Sequence, residues 1–306
     1  MKIVYIAKFK RVYDEEPIAK GFEQNGIEVI RLEEGQHSWE WYLERVKEEK
    51  PDLVLCTKLQ IDYGWRLLGE LRELKIPSVS WTFDLLLGHP PREKEIKSFC
   101  WLNTDYVFLT DGGHEKEYKE LGINKYTLRQ GIPEVFCYMA EPDPNFKYDI
   151  VFVGTHNPTF PYRQGIMTFL QNEYKDKFHW YGFQDAFEIR GHELNKLYAN
   201  AKIVIGDSMF SPNYWSNRMY EALGRGAFLI SPDIEGIKEE FEPYKEFIPY
   251  TLGDVMGLKE KIDYFLKHDE LRQQIRAAGH KRVKEYYLYS HRCKEFLKLY
   301  AKISQK

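Results

Sequence analysis

Short apolar runs alternate with amphipathic stretches along most of the chain. Runs at 2–7, 27–32, 53–56, 78–82 and 106–109 read as buried strands. Between them, 17–25, 39–49, 65–74 and 115–121 carry helical spacing. Trp39, Tyr42, Leu43 and Val46 fall on one face of the second of these, and Gly26 and Gly122 stop the first and last. A polar, proline-containing break at 139–147 reads as a linker. The alternation then restarts, with strands at 149–153, 178–181, 203–205, 228–231 and 247–250. Helices are expected at 163–172, 192–199, 217–223 and 255–267, and two closing helices at 269–286 and 290–303. Such alternation builds parallel, doubly wound sheets whose functional loops lie at the carboxyl ends of the strands. The expected fold class is α/β, with two Rossmann-like domains facing each other across a cleft. The first spans 1–143, the second 144–287, and a helix follows at 288–306 with Phe296, Leu299, Tyr300 and Ile303 on its apolar face.

Composition narrows the class. The 306 residues suit two domains, and 43% hydrophobic with 30% charged residues excludes a disordered chain. No run approaches the ~20 apolar residues of a membrane span, and the opening run reads as a strand rather than a signal peptide. Four cysteines without paired spacing point to a reduced, cytoplasmic protein. Nine histidines without an HExxH pattern give no sign of a metal. Net charge is −3, yet 280–306 carries eight Lys/Arg against two Glu, while 1–143 is acidic with 20 Lys/Arg against 26 Asp/Glu. That distribution disfavours a nucleic-acid partner. The basic end is either a solvated face or a peripheral attachment to anionic membrane.

Candidate chemistry concentrates at 214–231. Ser216 suits an N-cap, Asn217 and Arg218 open the helix, Glu221 lies one turn in, and Gly224 ends it. The helix N-terminus would offer free N–H groups and Arg218 a positive charge to a diphosphate. Glu221 can accept two ribose hydroxyls, or else form a solvated pair with Arg225. Gly154 and Thr155 close the first strand of the second domain, either as a close approach to ligand or as a plain turn. In the first domain, Asp84 ends a strand and is a candidate base or a turn cap, with His89 and His114 as rival bases. Lys8, Lys10 and Arg11 form a basic loop after the first strand, either solvated or facing an anionic acceptor.

The stretch 213–292 resembles the CgeB/YkvP-like glycosyltransferases, a branch of the GT-B fold related to the glycosyltransferase group 1 family. The resemblance rests on Arg218-Met219-Tyr220-Glu221-Ala222, Gly226–Ser231, Phe241, Tyr250, His268–Arg272 and His291-Arg292. It implies a GT-B enzyme that binds the donor ribose through Glu221. It also implies diphosphate contacts from Gly154, Thr155 and Arg163, and a nucleobase near Tyr181. The last helix would cross back to the first domain. Group 1 enzymes carry a Glu eight positions before the ribose Glu, and this chain has Asn213 there, which leaves the sugar end of the donor open. The function expected is a metal-independent transfer from a nucleotide-diphosphate sugar, without further cofactor, to an unidentified acceptor. UDP, GDP and dTDP are not distinguished. A nucleotide-sugar 2-epimerase, or a non-catalytic nucleotide or sugar binder, are the alternatives on the same fold.

Overall fold

The computed structural model describes residues 1–9, 14–155, 161–182 and 189–305. The chain runs β1 (Lys2–Ala7), α1 (Glu15–Gln24), β2 (Glu28–Glu33), α2 (Trp39–Glu49), β3 (Leu53–Cys56), α3 (Ile61–Glu73), β4 (Ser78–Thr82), α4 (Pro90–Glu95), β5 (Tyr106–Leu109), α5 (Glu115–Glu120) and β6 (Lys125–Thr127). It continues through β7 (Ile150–Val153), α6 (Pro161–Tyr174), β8 (Phe178–Tyr181), α7 (Gly191–Asn200), β9 (Ile203–Ile205), α8 (Arg218–Gly224), β10 (Leu229–Pro232) and β11 (Ile248–Tyr250). Helices α9 (Val255–Leu266), α10 (Asp269–Tyr286) and α11 (Tyr289–Ile303) close it. Two compact units result: Met1–Pro133 with Tyr289–Lys306, and Glu134–Leu288.

In the first unit the described strands form one parallel sheet of order β2-β1-β3-β4-β5-β6. Its interior strands are buried on both faces, which is why they read as unbroken apolar runs. Helix α11 packs on α1 through Phe296, whose ring meets Phe22 at 5.0 Å and Phe108 at 4.7 Å, both edge-on. Gly21 makes this contact possible. A Cβ there would stand 2.9 Å from both Cys293 Sγ and the Tyr289 carbonyl oxygen.

The second unit has a parallel sheet of order β11-β10-β9-β7-β8. Phe152, Ile166, Met167, Leu170, Ile205 and Ile230 lie in its main core. The strand order reverses between β7 and β9, since β8 lies on one side of β7 and β9 on the other. In doubly wound sheets ligands bind at the carboxyl ends beside such a reversal. Among the described residues, no helix is long and apolar enough to cross a membrane.

Candidate functional site

The β7/β9 edge of the second unit brings together Gly154, Thr155, Arg163 and Arg218. Gly154 follows β7, donates its N–H to the Tyr181 carbonyl at 2.9 Å, and accepts from Trp180 Nε1 at 2.7 Å. A Cβ on Gly154 would stand 2.9 Å from the Phe152 ring and 3.0 Å from Arg218 Nη2. Gly182 has φ +92, and its Cβ would stand 2.7 Å from the Gly154 carbonyl oxygen. Two bare backbones thus meet at this turn, and side chains on either would push them apart.

Arg163 and Arg218 converge on the same turn. Arg163 Nη1 donates to the Thr155 carbonyl at 3.0 Å, and Arg218 Nη2 donates to the Val153 carbonyl at 2.7 Å. Both guanidiniums lie over the Phe152 ring, 5.6 and 4.7 Å from its centre. Both also bind Asp207, Arg163 Nε at 2.5 Å and Arg218 through Nη1. Asp207 is 2% exposed. Burial alone would push its carboxyl up, but Arg218 and then Arg163 outweigh that, and it lies below the usual carboxylate range. Sequence reading passed over Asp207. Its signal was an acidic residue directly after the apolar run Ile203-Val204-Ile205-Gly206, the same signal that drew attention to Asp84.

In helix α8 Asn217 is already in helical conformation, and Ser216 before it caps the turn through its Oγ, as its residue type suggested. The first-turn N–H groups are not free. Arg218 N donates to Ser216 Oγ at 3.3 Å, Met219 N to the Ser216 carbonyl at 3.1 Å, and Tyr220 N and Glu221 N to the Asn217 carbonyl at 3.0 Å. The loop closes on itself, and these first-turn N–H groups are already engaged.

Glu221 Oε2 accepts from Arg225 Nε at 2.9 Å and lies 2.8 Å from its Nη2. The pair read from the sequence therefore forms, but it is not a solvated one. Arg225 is 3% exposed, donates to the Gly191 carbonyl at 2.9 Å and to Asn195 Oδ1, and lies over the Phe136 ring. The Glu221 side chain keeps 20% of its surface open. Its Oε1 takes no hydrogen bond among the described residues, and so can still accept one from a ligand.

Tyr181 ends β8 half-buried, with its hydroxyl donating to Tyr148 Oη at 3.0 Å. Asn213 has φ +56 and donates its N–H to the Glu235 carbonyl at 3.0 Å. Its Oδ1 would lie 2.1 Å from a Cβ on Gly236, so Asn213 is fitted to the Gly236 turn.

In the first unit, Asp84 follows β4 and is held by Lys58 on Oδ2 and by Arg92 at 3.2 Å on Oδ1. Each carboxylate oxygen thus carries one cation, while the side chain stays 28% exposed. His89, on the same loop, is 4% exposed. Burial, then Arg92, hold its imidazole below the ordinary value, so it is neutral at pH 7. His114 lies 3.5 Å from Glu117. Lys8 lies 3.8 Å from buried Glu34, while Lys10 and Arg11 fall outside the described residues.

Residues 147–298 match the family model described as glycosyl transferase-like. No curated protein matches the chain significantly. Among solved structures, the chain is similar to HepE of Anabaena in complex with UDP-glucose, at 12% identity and TM-score 0.68 over 99% of this chain and 100% of that chain. It is similar to a sucrose-phosphate synthase from Thermosynechococcus elongatus at 14% identity and TM-score 0.64, over 100% of this chain and 99% of that one. The lipopolysaccharide outer core galactosyltransferase WaaB is a third, at 14% identity and TM-score 0.55 over 100% of both chains. The fold is that of the GT-B glycosyltransferases, with two Rossmann-like units.

Proposed function

We propose that the protein transfers a glycosyl group from a nucleoside-diphosphate sugar to an acceptor, with the donor bound by the second unit and the acceptor by the first. In that reaction the bond from the anomeric carbon to the diphosphate breaks, and one to the acceptor oxygen forms. The acceptor proton passes to a base and the nucleoside diphosphate leaves. The observation that carries the reading is the glycine turn at Gly154 flanked by Arg163 and Arg218, at the strand reversal of a glycosyl transferase-like domain. Two fixed guanidiniums suit the charge that builds on a leaving diphosphate, and the reaction is proposed to need no divalent cation. Glu221 is assigned to the ribose, Thr155 to the diphosphate and Tyr181 to the base. Ser216 and Asn217 shape the loop that presents Arg218. The motif at 218–231 favours the CgeB/YkvP-like branch, and the UDP-glucose bound by HepE favours a UDP-sugar. Asp84 is the proposed proton acceptor, with His89 as its rival, and Lys8, Lys10 and Arg11 are proposed to meet an anionic acceptor.

The test is a melting-temperature screen with UDP, GDP, dTDP and their sugars, with and without Mg²⁺, followed by product analysis of whichever donor binds. Stabilisation by a nucleoside diphosphate without metal, and sugar transfer only when acceptor is added, is the expected result. Isomerisation of the donor sugar in the absence of acceptor would instead make it an epimerase.

A further inference from the structure

Three charges meet almost without solvent at the β7/β9 edge. The Asp207 side chain is 2% exposed, and those of Arg163 and Arg218 are 11% exposed each. A buried cluster of this kind adds little net stability, because lost hydration offsets the attraction. Geometry is what it fixes. Each guanidinium is held at two points, by the Asp207 carboxylate and by a carbonyl of the turn around Gly154. The arginines come from different helices, Arg163 from the first turn of α6 and Arg218 from the start of α8. Asp207, on the loop after β9, is the group that both share.

We propose that Asp207 is a positioning residue for the donor: it holds the planes of Arg163 and Arg218 in place around Gly154, preset for a diphosphate. This rests on the donor-site reading above. It separates cleanly from simple attraction by its sign. One carboxylate against two guanidiniums leaves the trio with a single net positive charge, and Asp207→Asn doubles it. If the arginines acted only as charges, the neutral variant would bind a diphosphate more tightly. If Asp207 positions them, the variant binds it more weakly. Two unpinned cations then repel each other and leave the turn, and each hydrogen bond to the ligand must be made from a disordered side chain.

The experiment titrates the full chain, as wild type, Asp207→Asn and Arg163→Lys, with UDP, GDP and dTDP and with the matching nucleosides. Melting curves confirm that each variant is folded. Arg163→Lys keeps the charge but cannot reach both Asp207 and the Thr155 carbonyl with a planar fork. Both variants should lose about tenfold or more in nucleoside-diphosphate affinity while nucleoside affinity stays level. Equal or tighter diphosphate binding by Asp207→Asn overturns the proposal, as does a loss shared equally by nucleoside and diphosphate. If Asp207→Asn does not fold, the same comparison on Arg163→Lys decides. A wild type that binds no nucleotide removes the donor site and this proposal together. A wild type that binds, with both variants unchanged, removes the positioning role alone.

Discussion

Glu221 and Arg225 share a hydrogen-bonded pair in which the arginine is buried and only the carboxylate reaches the surface. The two oxygens differ: Oε2 compensates a buried guanidinium, and Oε1 takes no hydrogen bond among the described residues.

The first expectation follows from that division. Glu221→Ala strands the Arg225 charge among Asn195, Gly191 and Phe136, and destabilises the fold. Removing one partner of an enclosed pair costs ~3–5 kcal/mol, and the partial exposure of Glu221 brings the expected loss down to about 2–3 kcal/mol. Chemical denaturation measures it. A loss of a few tenths of a kcal/mol would mean that the pair behaves as a solvated one.

Gly182→Ala tests the close backbone approach at the Gly154 turn. The residue has φ +92, and a new Cβ would meet the Gly154 carbonyl oxygen, which cannot rotate away. Strain of this kind costs ~1–3 kcal/mol. The displaced turn should also weaken nucleoside-diphosphate binding several-fold. Unchanged melting temperature and affinity in the variant would show that the turn has room to spare.

Asp84 makes a third test, through the cations that cover it. If it accepts the acceptor proton, Asp84→Asn lowers turnover by roughly 10²-fold at unchanged donor affinity. Lys58→Met, which frees Oδ2, should leave turnover at or above wild type. Near-normal turnover in Asp84→Asn would move the role to His89, to His114 or to no residue at all.

Stability should depend on pH with a defined sign. His89, His179 and His280 are held below the ordinary imidazole value, in each case first by burial. The unfolded chain takes up protons near pH 6.5 that the folded chain resists, so stability is full above that value and falls as pH drops through it. Half-buried Glu15 and buried Glu34 are held above the usual carboxylate range, first by burial, and act in the opposite sense only nearer that range. Melting temperature should therefore decline between pH 7.5 and 6. A flat or rising profile over that window would contradict it.

The alternation of apolar runs and amphipathic stretches made both sheets legible, because strands buried on both faces leave little else to read. β6 was not legible. Lys125, Tyr126 and Thr127 form a half-buried edge strand of three residues, too short for any period to register. Glycine and arginine at the Gly154 turn stood out by type, whereas Asp207 did not. Its meaning comes from Arg163, 44 residues away, and Arg218, 11 residues away, which reach it only through the fold. The closed loop at Ser216 was hidden for a similar reason. Residue types at 216–218 fit a capped helix start, and only backbone conformation shows that Asn217 is already helical.

The most direct measurement of the donor-site account is titration calorimetry of wild type and Glu221→Gln with the nucleoside diphosphate that binds and with its 2′,3′-dideoxy counterpart. Glutamine keeps an acceptor for Arg225, so the comparison reads binding rather than folding. A charge-assisted hydrogen bond contributes ~1.5–3 kcal/mol, about 10–100-fold in affinity. Glu221→Gln should lose at least about tenfold for the normal nucleotide, and bind the dideoxy nucleotide as the wild type does. Equal affinity of the two proteins for the normal nucleotide would take Glu221 out of the site, and with it the assignment of this edge of the second unit to the donor.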